Sequence, residues 1–308
     1  MSHLKAIFLL GIASLILACP RATGFVRYGY SGVNGPDKWG SLSSDFSLCS
    51  QGKKQSPINI AKNITSNDPD LKPADRNYNK TRATIINNGL NIEVRSFTRY
   101  DIHKKNLFTA NGLIWQLVYE KGPGIMAVDG KNYTLEKMVW HLPAEHTLDG
   151  ESFPMELQLI HKSADNNITV VAILYQYGSN DAFLLQLQDE LQQLQQDTCT
   201  GDEEARIPVG LVQTRTLVRH TRKYFRYVGS LTTPPCTEDV IWIILGKVRK
   251  MTEEQANLLR APLSAEYKNN SRPTQPINGR TVRLYDEMHQ VKNIDSNKSD
   301  KNSESKSS

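Results

Sequence analysis

Apolar positions in this chain recur mostly with period two. From Thr134 to Glu145, and again through Met155-Glu156-Leu157-Gln158-Leu159-Ile160-His161, apolar and polar side chains alternate as in a strand. Both stretches are therefore expected to be β-strands. Alternation places Val139 and His141 on one face of the first, and Glu156, Gln158 and Ile160 on one face of the second. The pattern aims polar groups from both strands at one point. Ile168–Tyr177 is a continuous apolar run suited to a buried strand, and Val240–Val248, with Trp242, reads the same way. Shorter strand patterns fall over Thr84–Val94, on either side of the turn signal Asn87-Asn88-Gly89, and over Asn111–Tyr119 and Gly130–Trp140.

Helical spacing is scarce. Leu184, Leu187, Leu191 and Leu194 predict one amphipathic helix over Asp181–Gln196. Thr252 and Gln255 form a capping-box pattern that opens a second short helix through about Arg260. Near the start, Tyr28–Gly40 is rich in glycine and aromatics, with Gly35-Pro36 as a turn and Trp39 as an anchor. These signals describe a mainly β protein with one domain over residues 25–288. The segment 289–308 is Asn, Asp, Lys and Ser without apolar periodicity, a polar tail predicted to be disordered.

Composition adds bounds. A chain of 308 residues with 39% hydrophobic and 22% charged positions can bury a large core and reads as soluble and globular. The net charge of +5 is mild and its signs are interspersed, which excludes nucleic acid as an expected partner. At the N-terminus, Lys5 precedes the apolar run Ile7–Leu17 and the small residues Ala18, Cys19 and Ala22. That order predicts a signal peptide over 1–22 and entry to the secretory pathway. The run is too short to span a membrane comfortably, and no later segment reaches that length, so no span is expected after cleavage. Six N-x-[ST] sequons, at Asn63, Asn79, Asn132, Asn167, Asn269 and Asn297, agree with secretory entry and predict a glycoprotein. Its destination is read as extracellular or apoplastic, with vacuole or plastid as alternatives. Cleavage leaves Cys49, Cys199 and Cys236. An odd number in an oxidising compartment means one disulfide with a spare thiol, or a disulfide-linked dimer.

Several motifs then converge. Gly35-Pro36-x-x-Trp39-Gly40, Gln55-Ser56-Pro57-Ile58, Glu145-His146-Thr147 and Gly229-Ser230-Leu231-Thr232-Thr233-Pro234-Pro235 together resemble the α-class carbonic anhydrases. Asn270-Ser271-Arg272-Pro273 and Gln275-Pro276-Ile277-Asn278-Gly279-Arg280, with the placement of Cys49 and Cys236, resemble the secreted plant branch. The resemblance implies a large twisted, mostly antiparallel sheet with short peripheral helices, and a Cys49–Cys236 disulfide. It leaves Cys199 for any bridge between chains. It also implies reversible hydration of carbon dioxide by zinc-bound hydroxide. In that chemistry three histidines hold the metal, which lowers the pKa of its water to about 7.

Carried over residue by residue, the match breaks at the metal. The family's H-x-H pair falls on Val139 and His141, and its third histidine falls on Gln158. A valine has no lone pair, and a glutamine carbonyl is a poor zinc donor beside imidazole. The family's proton-shuttle histidine falls on Leu90, and the glutamine that commonly orients the first ligand falls on Lys137. Other positions match. Glu145 and Thr232 fall on the pair that orients the hydroxide, and Glu156 on the carboxylate behind the third ligand. Tyr30, Ile160, Val170, Leu231, Thr233 and Trp242 fall on positions that line or support the cone. His103, His161, His220 and His289 lack ligand spacing, and His146 and His161 match structural positions.

The expectation is a carbonic-anhydrase-related protein with a degenerate zinc site, no metal, no hydratase activity and a binding or storage role. The alternative is an active zinc carbonic anhydrase. His141 reads as a core histidine or as a lone ligand. A buried Glu156 needs a partner, with Lys137, His141 and Gln158 as candidates. The ligand is an unidentified protein or a small anion at Lys137.

Overall fold

A computed structural model describes residues 26–96, 124–196, 205–217 and 221–290. The signal segment, the expected strand over 111–119, His103, His220, Cys199, Asn297 and the tail from residue 291 lie outside the described residues. Among the described residues, no helix is long and apolar enough to cross a membrane.

Among the described residues, thirteen strands form one large sheet. Its path runs Ala205–Gln213, Lys80–Asn87, Ile92–Ser96, Lys131–His141, Met155–Lys162, Ile168–Tyr177, Glu238–Leu245, Lys223–Ser230, Val282–Asp286 and Thr65–Asn67. Most neighbours are antiparallel. Ile168–Tyr177 runs parallel to Glu238–Leu245 and to Arg249–Met251, and Val282–Asp286 runs parallel to Thr65–Asn67. A separate parallel pair joins Asn59–Ile60 to Thr147–Leu148.

Alternation decides which side chains meet which core. Met155, Leu157 and Leu159 enter the larger apolar cluster, with Trp140, Val171 and Ile173. Val170, Ala172, Leu174 and Trp242 enter a second cluster on the other face, with Ile58, Phe153 and Tyr227. The strand Ile168–Tyr177 feeds both clusters, which is why its sequence shows no alternation.

Three expected elements differ in extent; the strand expected over Val240–Val248 runs Glu238–Leu245. The stretch from Thr134 ends as a strand at His141, and Glu145 lies beyond it. Pro143 has no N–H for a ladder, so the chain leaves the sheet there. The helix expected over 181–196 is two helices, Ala182–Leu185 and Gln188–Gln195. Gln186 N–H and Leu187 N–H bond back to Phe183 and Leu184 carbonyls, a tightened turn that closes the first helix. Leu184, Leu187, Leu191 and Leu194 all remain buried, so the apolar stripe survives the break. The capping box is present: Thr252 caps Glu253–Arg260, with Gln255 reaching back to the Thr252 N–H.

Candidate functional site

The site begins with strand register. Val139 lies opposite Gln158, and His141 opposite Glu156. The neighbouring strand places Glu93 opposite Val139 and Arg95 opposite Lys137. Lys137, Ile160, Val170 and Trp242 continue across the sheet as successive register partners. One face therefore carries a row of Glu93, Val139 and Gln158 between a row containing His141 and Glu156 and one containing Lys137 and Ile160.

Glu156 is fully buried and accepts four hydrogen bonds. The donors are Glu145 N–H at 3.0 Å, His146 N–H at 2.8 Å, His146 Nδ1 at 2.9 Å and Gln158 Nε2 at 3.0 Å. Burial opposes its ionisation, but the His146 charge and hydrogen bonds, with His141 beyond, hold its carboxyl down at about 2. Of the three expected partners, only Gln158 donates to it. Lys137 instead bonds Glu93 at 2.9 Å.

Glu93 is a residue the sequence reading missed. It is buried, with Arg95 Nε at 2.8 Å, Lys137 Nζ at 2.9 Å and Asn88 Nδ2 at 3.1 Å. Burial pushes its carboxyl up, yet the two cations outweigh that and leave it below the ordinary value. The Ile92–Ser96 alternation does show Glu93 and Arg95 on one face, but not that Lys137, far along the chain, lies across from them.

Beyond the strand end, Glu145 gathers a second set of donors. Gln158 Nε2 reaches its Oε2 at 2.7 Å and Arg272 N–H its Oε1 at 2.9 Å, while Thr232 adds a side-chain hydrogen bond. Burial pushes this carboxyl above its ordinary value and the Glu156 charge adds to that, against the pull of His141. The Gln158 amide nitrogen thus bridges two buried carboxyls. His141 places Nδ1 2.7 Å from the Asn270 carbonyl and 3.4 Å from Glu145 Oε1. Asn270 and Arg272 are further residues whose roles sequence alone did not show. Asn270 also accepts from Leu142 N–H at 2.8 Å and donates to Trp140 O at 3.2 Å.

Behind Glu156 the network continues inward. His146 Nε2 lies 2.7 Å from the Tyr227 hydroxyl, which lies 2.8 Å from Ser56 Oγ. Ser56 accepts Ser230 N–H at 3.0 Å, and Trp242 Nε1 donates to Ser230 O at 2.9 Å. These bonds fix the start of the loop carrying Leu231, Thr232 and Thr233. The Cys49–Cys236 disulfide ties its far end to the N-terminal segment. Arg272 supports that junction, donating to Cys49 O at 2.9 Å and to Gln55 Oε1 and Ser56 O at 2.8 Å.

Val139, His141, Glu145, Glu156, Gln158 and Thr232 are thus brought together by register and hydrogen bonds. Ile160 and Leu231 are half-buried against the second apolar cluster, where Val170 and Trp242 are buried. Thr233 is hydrogen-bonded to Tyr28. Leu90 and Tyr30 pack with the larger core, Tyr30 edge-on to Trp39 at 5.6 Å, while Leu90 O accepts from Asn270 Nδ2 at 3.4 Å. Among the sequons, Asn63, Asn132, Asn167 and Asn269 are exposed and Asn79 is half-buried. His161 is on the opposite face from Gln158, bonded to Tyr78 at 2.7 Å. Among the described residues, no group of three or more His, Cys, Asp or Glu is arranged to hold a metal ion.

The family model for eukaryotic-type carbonic anhydrase matches residues 34–286. Alpha carbonic anhydrase 7 of Arabidopsis thaliana is 34% identical over 259 residues, covering 84% of this chain and 84% of that protein. Dioscorin DB3L of Dioscorea polystachya is 32% identical over 290 residues, covering 92% and 95%. Among solved structures, a crystal structure of dioscorin complexed with ascorbate superposes with a TM-score of 0.74 at 30% identity, over 84% of this chain and 98% of that one. With that sheet, that loop and these matches, the chain belongs to the eukaryotic-type carbonic anhydrase family, in its plant-type α branch.

Proposed function

We propose that this protein is a secreted carbonic-anhydrase relative that binds no catalytic zinc, does not hydrate carbon dioxide and serves a binding or storage role. The observation that carries this reading is the state of Gln158. At the position of a family ligand, its amide nitrogen is engaged by Glu145 and Glu156 at 2.7 and 3.0 Å. Across the ladder Val139 offers no donor, so His141 is the one imidazole of the set. That donor set does not fit the family's three-histidine zinc. Lys137 adds a cation in the next row, against a second cation. Relatives named dioscorin, one crystallised with ascorbate, support a small ligand in place of a substrate. Secretion and glycosylation belong to the same proposal, on the N-terminal pattern and the exposed sequons.

Metal analysis of the purified protein with stopped-flow hydration of carbon dioxide tests the reading. The expected result is substoichiometric zinc and no turnover; stoichiometric zinc with acetazolamide-sensitive turnover would sink it. Val139→His with Gln158→His is expected to regain zinc, with Lys137→Gln added to remove the neighbouring cation. If all three changes together recover none, the remaining frame has drifted further than proposed.

A further inference from the structure

Asparagine is followed by glycine at Asn34, Asn88, Asn111 and Asn278. The order matters chemically, because glycine has no side chain to keep its backbone nitrogen away from the preceding amide carbon. Attack by that nitrogen closes a five-membered ring, an intramolecular step that needs both partners free to meet. Asn111 lies outside the described residues; the other three sit in different settings. At Asn34 the Gly35 N–H donates to Gly32 O at 3.1 Å, and the Asn34 carbonyl is held by Gly29 N–H at 2.7 Å and Trp39 Nε1 at 3.0 Å. At Asn88 the Gly89 N–H donates to Asn87 Oδ1 at 3.0 Å. Asn88 Oδ1 accepts Leu90 N–H at 3.0 Å and Asn91 N–H at 2.9 Å, and its Nδ2 donates to Glu93 at 3.1 Å. In both places the attacking nitrogen is engaged, and at Asn88 the amide is too.

Asn278 differs. It is exposed, in a tight turn closed by Arg280 N–H on Ile277 O at 3.0 Å, with φ of 48° at Asn278 and 73° at Gly279. Among the described residues, no acceptor meets the Gly279 N–H. Space is open where a side chain on Gly279 would start, with nothing within 4 Å. The Asn278 amide keeps one bond, from Nδ2 to Lys53 O at 3.0 Å. Arg280 folds its guanidinium back over the turn, Nε on Ile277 O at 2.9 Å and Nη2 on Pro276 O at 2.8 Å. A cation therefore stands by the negative charge that develops on the attacking nitrogen. We propose that Asn278 is a site of self-modification, at which the Gly279 nitrogen turns the side-chain amide into a carboxylate. The nitrogen gives its proton to water and bonds to the Asn278 amide carbon; the carbon–Nδ2 bond breaks, and Nδ2 takes up a proton and leaves as ammonia. Water then opens the ring. Opening at the side-chain carbonyl gives aspartate, and opening at the main-chain carbonyl gives isoaspartate; nothing is oxidised or reduced. Either product loses the donor to Lys53 O and sets a carboxylate against that carbonyl, so the turn releases the segment from Lys53 to Gln55. Gln55 Oε1 accepts Arg272 at 2.8 Å, which carries the release to the frame of the site, with or without zinc.

The test holds purified full-length protein at neutral pH in heavy-oxygen water, folded and in guanidinium chloride, and maps its peptides by mass spectrometry at intervals. Unfolded, the peptides carrying Asn34, Asn88 and Asn278 should convert at comparable rates. Folded, Asn278 should take up heavy oxygen, as aspartate and isoaspartate, about tenfold faster than either of the others. Conversion of folded Asn34 or Asn88 at the rate of Asn278, or an Asn278 that stays intact while the unfolded sample converts, would overturn the proposal. Asn278→Asp makes one product directly and should lower the urea midpoint; an unmoved midpoint would overturn the release of Lys53.

Discussion

His161 shows how one buried side chain makes stability depend on pH. Its Nε2 accepts from the Tyr78 hydroxyl, its Nδ1 lies 3.3 Å from Thr169 O, and burial lowers its pKa from 6.5 to about 4. Between those values the unfolded chain binds a proton that the folded one refuses, so stability falls as pH drops from about 6.5 to about 4 and levels off below. The size is on the order of 3 kcal/mol. Denaturant midpoints measured across that window should show the slope, and His161→Phe should flatten it. Glu156 acts in a lower window: its depressed carboxyl contributes stability above about 4.5 that is lost as pH falls toward about 2. Lys137→Met should cost about 1–3 kcal/mol in urea unfolding, because Glu93 loses one of its two cations while buried. An unmoved midpoint would contradict the Glu93 pairing.

At the scale of elements, what could be read from sequence was what is encoded locally. The two central strands were legible because alternate residues face different environments. The capping box was legible because its partners are three residues apart. Gln255 does more than its motif indicates: Asp181 N–H donates to its Oε1 at 2.8 Å and its Nε2 donates to Asp181 O at 3.0 Å, linking the starts of two helices. Gln255→Ala should therefore cost about 2 kcal/mol, above a usual cap, in chemical denaturation. The break at Gln186–Leu187 was not legible, because the leucine spacing is served equally by one helix or by two sharing a stripe. Nor was the pairing of Lys137 with Glu93, which depends on the order in which strands join the sheet.

Across the whole molecule, the fold is held by contacts between distant parts of the chain. Cys49 and Cys236 are separated by 187 positions, and closing so long a loop stabilises by about 5 kcal/mol in the chain-entropy description. Reduction, or paired serine substitution, should lower the unfolding midpoint accordingly and free the end of the Thr232 loop. The family frame was legible because its motifs stand at that loop and at the disulfide; the wiring of Gln158 was not, because a glutamine in a strand does not announce two carboxyls beside it. On the metal-free reading, that bridge has a consequence for any restoration of the metal. A lone Val139→His leaves two imidazoles facing an amide already engaged, and a lone Gln158→His leaves two facing a methyl wall. Neither single step assembles three donors. On the metal-free reading proposed above, regaining a zinc site is therefore a paired step, with no gain in metal binding at either intermediate.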